Sequence, residues 1–234
     1  MTCLCKKLAG NEIELSPICI GSLWIFQNLA PEDIEALAQK ALRKKMVKGQ
    51  TLFLQSDSAD EVFLIKGGRI KLNKVLEDGS ELMLDIRKAG DFLGEDMFSE
   101  EGRYPVSAVC MEDTLTCGFS RSQFEKLVIK YPKLGLQVIK NLSERISSLT
   151  SRVGSLSITN IEDRLYRVLS NVAKEHGAQS PLGVVIQFPL THEDLSFLTG
   201  AHRVTITRAL KALKKAGKII LEDRRLILPA LKIA

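Results

Sequence analysis

Thr191-His192-Glu193-Asp194-Leu195-Ser196-Phe197-Leu198-Thr199-Gly200-Ala201-His202-Arg203-Val204-Thr205-Ile206-Thr207-Arg208-Ala209-Leu210 reads as two helices around a tight glycine turn. Thr191 is suited to cap the first helix, and Leu195 and Leu198 give it an apolar face. Gly200 supplies the backbone freedom to leave at a steep angle. The second helix buries Ile206, Leu210 and Leu213 at helical spacing, while Arg203, Val204, Thr207 and Arg208 fall on another face. The pattern predicts a helix-turn-helix whose second helix enters the major groove of double-stranded DNA. Arg203 and Arg208 are the expected base readers, with Val204 beside them. Thr205, Thr207, Lys211 and the lysines up to Lys218 complete the expected contact surface, Thr205 and the lysines mainly on phosphate.

Charge points the same way. Residues 191–234 carry nine Lys/Arg against four Asp/Glu, whereas residues 1–190 carry 24 of each. A basic terminal module on a neutral body is the electrostatic footprint of a protein that meets phosphate with one end. At 234 residues, with 45% hydrophobic and 26% charged residues, the chain has the length and composition of two modest globular domains. No apolar run reaches the roughly 18 residues of a membrane span, and the amino terminus lacks a signal-peptide pattern, so the expectation is a cytoplasmic protein with no membrane partner. Five cysteines, an odd number, argue against a secreted disulfide framework.

Working outward, Ile219-Ile220-Leu221 and Leu226-Ile227-Leu228 flank Glu222-Asp223-Arg224-Arg225 and predict a hairpin wing. Asn160 to His176 is amphipathic and ends at Gly177; a loop over 179–183 and a strand over 184–188 follow. Upstream, a helix beginning near Pro132 carries Ile139, Leu142, Ile146, Leu149, Val153 and Leu156 at spacings of 3, 4, 3, 4 and 3. This narrow seam is shouldered by Lys140, Glu144, Arg145 and Arg152, the pattern of a two-chain coiled coil, and predicts a homodimer. From about Val47 to Phe119 short strands alternate with the turn residues Gly67-Gly68, Asp78-Gly79 and Gly90-Asp91, as in a small barrel or roll. Pro31 to Leu42 is a short helix preceding it.

Roll, seam helix and winged module in this order resemble the CRP/FNR family of bacterial transcription regulators over nearly the whole chain. Lys48-Gly49-Gln50-Thr51-Leu52-Phe53, Asp78-Gly79-Ser80-Glu81, Gly90-Asp91-Phe92-Leu93-Gly94-Glu95 and Arg203-Val204-Thr205-Ile206-Thr207-Arg208 carry the resemblance. It implies an α+β fold: a cysteine-containing segment over 1–22, a cyclic-nucleotide-binding-like β-roll over 23–130, a dimerisation helix over 131–157 and a winged helix-turn-helix over 158–234. It further implies that a small-molecule effector binds the roll near Gly90, Phe92, Gly94, Glu95, Arg103 and Ser107, and that RNA polymerase is a partner if the protein activates. Where many members have Arg-Glu-Thr opening the recognition helix, this chain has Arg203-Val204-Thr205. Valine cannot accept from cytosine, so the half-site should differ. His202 replaces the usual Ser or Thr before that arginine, which removes an expected cap.

Cyclic-nucleotide binders of the family place an Arg-Ser pair where this chain has Val106-Ser107-Ala108, so cyclic AMP is disfavoured: its phosphate would lose a charge-assisted bidentate contact. Cys117 stands where the FNR branch has its remote cluster ligand, and with Cys3, Cys5 and Cys19 it makes four candidate thiolates for a [4Fe–4S] cluster. A reversible disulfide and inert buried thiols at Cys110 and Cys117 are the alternatives, as is a metabolite held between roll and seam helix. Haem is disfavoured because His176, His192 and His202 all lie in the carboxyl-terminal module. No nucleophile elbow, P-loop or zinc-protease motif appears, which speaks against an enzyme. The remaining rival is a sensor that binds protein rather than DNA.

Overall fold

The computed structural model describes residues 24–26, 29–186, 188–222 and 225–229. Contacts divide the chain into two units that meet inside one long helix, the first running to Ser143 and the second starting at Glu144.

In the first unit a 3-10 turn, Trp24–Phe26, buries Ile25 and Phe26, and α1 (Pro31–Lys40) follows with Glu32 and Asp33 in its first turn, where the helix dipole favours them. Eight strands come next: β1 (Leu42–Met46), β2 (Thr51–Phe53), β3 (Glu61–Gly67), β4 (Arg69–Val75), β5 (Glu81–Lys88), β6 (Phe92–Leu93), β7 (Ser107–Cys110) and β8 (Thr114–Ser120). They pair antiparallel into two four-stranded sheets, ordered β1-β8-β3-β6 and β2-β7-β4-β5. Phe53, Phe63, Phe92, Phe119 and Phe124 anchor the core between them, with the Phe53 and Tyr104 rings stacked at 3.8 Å. The sheets therefore form the expected roll. Its first strand was hidden in the sequence: α1 stops at Lys40, and Leu42, read as helical, opens β1 instead.

Two helices close this unit. α2 (Arg121–Lys130) starts from a capping box in which Ser120 and Gln123 satisfy each other's backbone N–H groups. α3 (Pro132–Leu156) begins at a proline, tolerated because the first-turn amides have no intrahelical partner. Leu134 buries into the roll's core, while Ile139 is 61% exposed and Leu142 half-buried. In the part of the helix that belongs to the second unit, Ile146 and Val153 are 65% and 68% exposed, and Leu149 and Leu156 are exposed too.

In the second unit α4 (Ile161–His176) is capped by the Asn160 side chain, which accepts from the amides of Glu162 and Asp163. It ends at Gly177 for reasons of space. A Cβ there would lie 2.4 Å from the Ala173 carbonyl oxygen and 2.5 Å from Val184 Cγ1. The expected loop over 179–183 is corrected by the structure: β9 (Gly177–Ser180) and β10 (Gly183–Ile186) form a hairpin around Pro181-Leu182. α5 (His192–Thr199), α6 (Arg203–Lys215), β11 (Ile220–Glu222) and β12 (Arg225–Leu228) complete the unit, with sheet order β11-β12-β10-β9. The hairpin of β11 and β12 is the expected wing.

Candidate DNA interface and sensor site

Both ends of the α5–α6 turn are built from local chemistry. Thr191 and Asp194 form a reciprocal capping box at the start of α5, and Gly200 closes it in the left-handed conformation at φ 64°. Ser196 Oγ donates to the Ala201 carbonyl and holds the turn. His202 occupies the N-cap of α6 with no side-chain cap bond. Ile206, Ala209, Leu210 and Leu213 form the buried face of α6, and Leu195 is buried on α5. Each fully buried aliphatic side chain contributes about 1.5–3 kcal/mol, so the face that docks α6 also fixes which residues point away.

At about 100° per residue, Val204, Arg208, Lys211 and Lys215 run along the crest opposite that buried face, with Arg203 and Thr207 on one flank and Thr205 and Ala212 on the other. Val204 is 63% exposed at the crest's start. Among the described residues, no ion pair neutralises Arg203, Arg208, Lys211, Lys214 or Lys215. Two expected contacts look different in three dimensions. Lys218 Nζ lies 3.3 Å from Asp163 Oδ1 and 5.6 Å from the Tyr166 ring centroid, so the end of the lysine run is tied to α4. Thr207 is half-buried and its hydroxyl is occupied, donating to the Arg203 carbonyl at 3.0 Å and lying 2.9 Å from His192 Nδ1.

The roll brings only part of the expected effector set together. Gly90 and Gly94 adopt φ 97° and 88°; a Cβ on Gly94 would lie 2.3 Å from the Glu61 carbonyl oxygen, so that position admits glycine alone. Phe92 is core, packed on Phe124. Glu95 meets a residue that sequence reading missed. Arg87 Nη2 donates to Glu95 Oε1 at 3.0 Å, its Nη1 donates to the Phe92 carbonyl at 3.3 Å, and its Nε sits 3.0 Å from Asp85 Oδ2 outside hydrogen-bond alignment. Arg87 and Asp85 are buried. Beside them, burial and the Glu95 charge push the Asp96 carboxyl up to about 6. Arg103, expected near Glu95, is instead exposed and donates to the Ser56 carbonyl at 2.7 Å. Ser107 Oγ accepts from the Gln55 amide at 2.9 Å. The alternation of β5 placed Asp85 and Arg87 on one face of the strand, a signal available in the sequence.

Cys117 is fully buried on β8 in the core of the roll, and Cys110 is buried on β7 with its thiol pushed up by burial. Among the described residues neither is in a disulfide, and no group of three His, Cys, Asp or Glu side chains could hold a metal. Cys3, Cys5 and Cys19 lie outside the described residues. Of the four candidate cluster thiolates the structure thus describes one, Cys117, as a side chain in the core of the roll.

A roll joined by a long helix to a winged helix-turn-helix, whose exposed helix carries arginines without an ion-pair partner among the described residues, defines a DNA-binding transcription regulator. Residues 43–131 match the cyclic nucleotide-binding domain and residues 163–232 the Crp-like helix-turn-helix domain. The chain is 30% identical over 190 residues to the anaerobic regulatory protein of Bacillus subtilis, covering 81% of this chain and 80% of that one. It is 25% identical over 204 residues to the CRP-like cAMP-activated global transcriptional regulator of Mycobacterium tuberculosis, covering 87% and 91%. The c-di-GMP responsive global regulator CLP of Xanthomonas campestris shares the fold, with a TM-score of 0.72 at 22% identity over 84% of this chain and 97% of that one. The chain belongs to the CRP/FNR family of transcription regulators, and its domains are those of regulators, not enzymes. No helix among the described residues is long and apolar enough to cross a membrane.

Proposed function

We propose that the protein binds a two-half-site operator as a homodimer joined along the α3 seam, and that a small-molecule effector in the roll governs that binding. The observation that carries the DNA contact is the exposed crest of α6, where Arg203, Arg208 and Lys211 stand without an ion-pair partner among the described residues around an exposed Val204. Arg203 and Arg208 read base edges; Lys211 and Thr205 contact phosphate. Val204 offers an apolar surface suited to a thymine methyl group.

Cyclic AMP is a poor match for the roll. The guanidinium nearest Glu95 is that of Arg87, already held by Glu95, Asp85 and the Phe92 carbonyl, so a cyclic phosphate would have to displace two carboxylates to reach it. Arg103 is committed to Ser56. A metabolite lodged against the start of α3 is better supported: a cavity of about 210 Å³ there is lined by Ile25, Leu29, Tyr131 and Leu134, and an adjoining groove of about 420 Å³ by Phe119, Lys126 and Lys130. If bound protein activates transcription, RNA polymerase is its further partner.

Binding of purified protein to duplex libraries tests the assignment. Arg203→Ala and Arg208→Ala should each cost about 1–3 kcal/mol and relax selectivity at one base pair, whereas Lys211→Ala should weaken binding to all sequences alike. An unchanged selected motif in Arg203→Ala would overturn its role.

A further inference from the structure

Thr207 has one hydroxyl proton and two neighbours for it. A carbonyl oxygen only accepts, so the 3.0 Å contact from Thr207 Oγ1 to the Arg203 carbonyl uses that proton when it is made. The 2.9 Å contact between Thr207 Oγ1 and His192 Nδ1 then takes His192 Nδ1–H as donor, the alternative being the ring tautomer in which Thr207 donates to Nδ1. The first arrangement sets the imidazole tautomer. Neutral His192 carries its proton on Nδ1 and presents Nε2 as a bare acceptor; protonated His192 keeps the Thr207 bond unchanged and gains a second donor at Nε2. His192 is half-exposed at the first turn of α5, touching the flank of α6 that also bears Arg203, and Nε2 has no hydrogen-bond partner among the described residues.

We propose that His192 is a proton-coupled phosphate contact: its Nδ1–H stays on Thr207, its Nε2–H donates to the DNA backbone, and operator binding takes up a proton. Thr207 is thereby withdrawn from base reading and becomes a positioning residue for His192. The proposal rests on the DNA-binding assignment above and adds to it a residue and a pH response.

The surrounding charges set the sign. On α5 the neighbouring groups are Glu193, which is exposed, and Asp194, which is buried and turned into the Thr191 cap. On α6 they are Arg203, Arg208 and Lys211, all cationic. The buried face of α4 is apolar apart from Ser170 and His176. A phosphate arriving at Nε2 favours the charged ring, so forming the complex takes up a proton and affinity rises as pH falls through the histidine range.

The test compares wild type with His192→Gln, which is neutral at every pH, on an operator duplex and a random duplex at fixed salt between about pH 5.5 and 8.5, the range around the ordinary histidine pKa. The ratio of wild-type to variant affinity should rise about 3- to 10-fold toward acid, and should do so on both duplexes. Dividing by the variant cancels other titrations, His176 included. Thr207→Ser should keep the wild-type profile, because it keeps the hydroxyl, while Thr207→Val should flatten it and leave the selected base motif unchanged. Nitrogen-15 NMR of free protein near pH 8 should show His192 protonated on Nδ1. A ratio constant with pH in a protein that still binds DNA, or a neutral ring protonated on Nε2, overturns the proposal and leaves the DNA assignment intact. A protein that binds no duplex at any pH overturns the assignment itself.

Discussion

Replacing Ile146 and Leu149 together with glutamate should dissolve the dimer while leaving the protomer folded. Fully burying an aliphatic side chain is worth about 1.5–3 kcal/mol. Ile146 is 65% exposed and Leu149 43% exposed in the single chain, so pairing would bury about 1–2 and about 0.6–1.3 kcal/mol of side chain respectively. Two-fold symmetry doubles both, giving a loss of about 3–6 kcal/mol, or two to four decades in dissociation constant. Four carboxylates drawn into a narrow seam add to this, since charge burial without partners is unfavourable. Sedimentation velocity across a concentration series reads the effect directly. Because both side chains face outward in the protomer, far-ultraviolet circular dichroism and the melting of the roll should barely change at low concentration. A variant that sediments as a dimer at the wild-type dissociation constant would refute the seam.

Three changes in the roll test its geometry. Gly94→Ala places a methyl group 2.3 Å from the Glu61 carbonyl oxygen at a φ of 88°, and should cost at least about 2 kcal/mol by chemical denaturation. Arg87→Leu strands Asp85 and Glu95 beside each other and should destabilise by about 3–5 kcal/mol, the usual cost of breaking a buried pair by removing one partner. Asp96 binds its proton more tightly folded, at about 6, than unfolded, at 3.8. Its contribution to stability is therefore fully present below pH 3.8 and is lost as pH rises through 6. Asp96→Asn should remove that slope and stabilise the protein at pH 8 by about 1 kcal/mol, a figure discounted for the carboxyl's partial exposure. Urea titrations at pH 5 and pH 8 distinguish a flat from a sloping profile.

The winged half was legible because its decisive features are local. Thr191 with Asp194, Gly200 in the left-handed region, the lack of a side-chain cap at His202 and the Ile206, Leu210, Leu213 face all follow from residues a few positions apart. The helix α3 itself was legible for the same reason. Where the deciding partner is distant in sequence, reading failed. β1 is a basic edge strand with little apolar alternation; it exists because Leu42 to Met46 pairs with β8, some 70 residues on. β9 is likewise held by β10 after a turn whose residues, Pro181 and Leu182, suggested only a loop. In the roll, proximity in sequence selected Arg103, whereas the strand pairing and the chain's return at Phe92 deliver Arg87 to Glu95. The place of Cys117 in the core depends on Phe63, Phe119 and their neighbours, which the spacing of the cysteines does not show.

Selection of binding sites from random duplex DNA tests the central claim most directly. A homodimer presenting two copies of α6 should enrich an inverted repeat whose half-sites lie about one helical turn, or a multiple of it, apart. Val204→Glu should move one position of each half-site toward a C·G pair while the spacing holds. Enrichment of a single unrepeated motif, or of no motif from wild-type protein at low salt, would contradict the account.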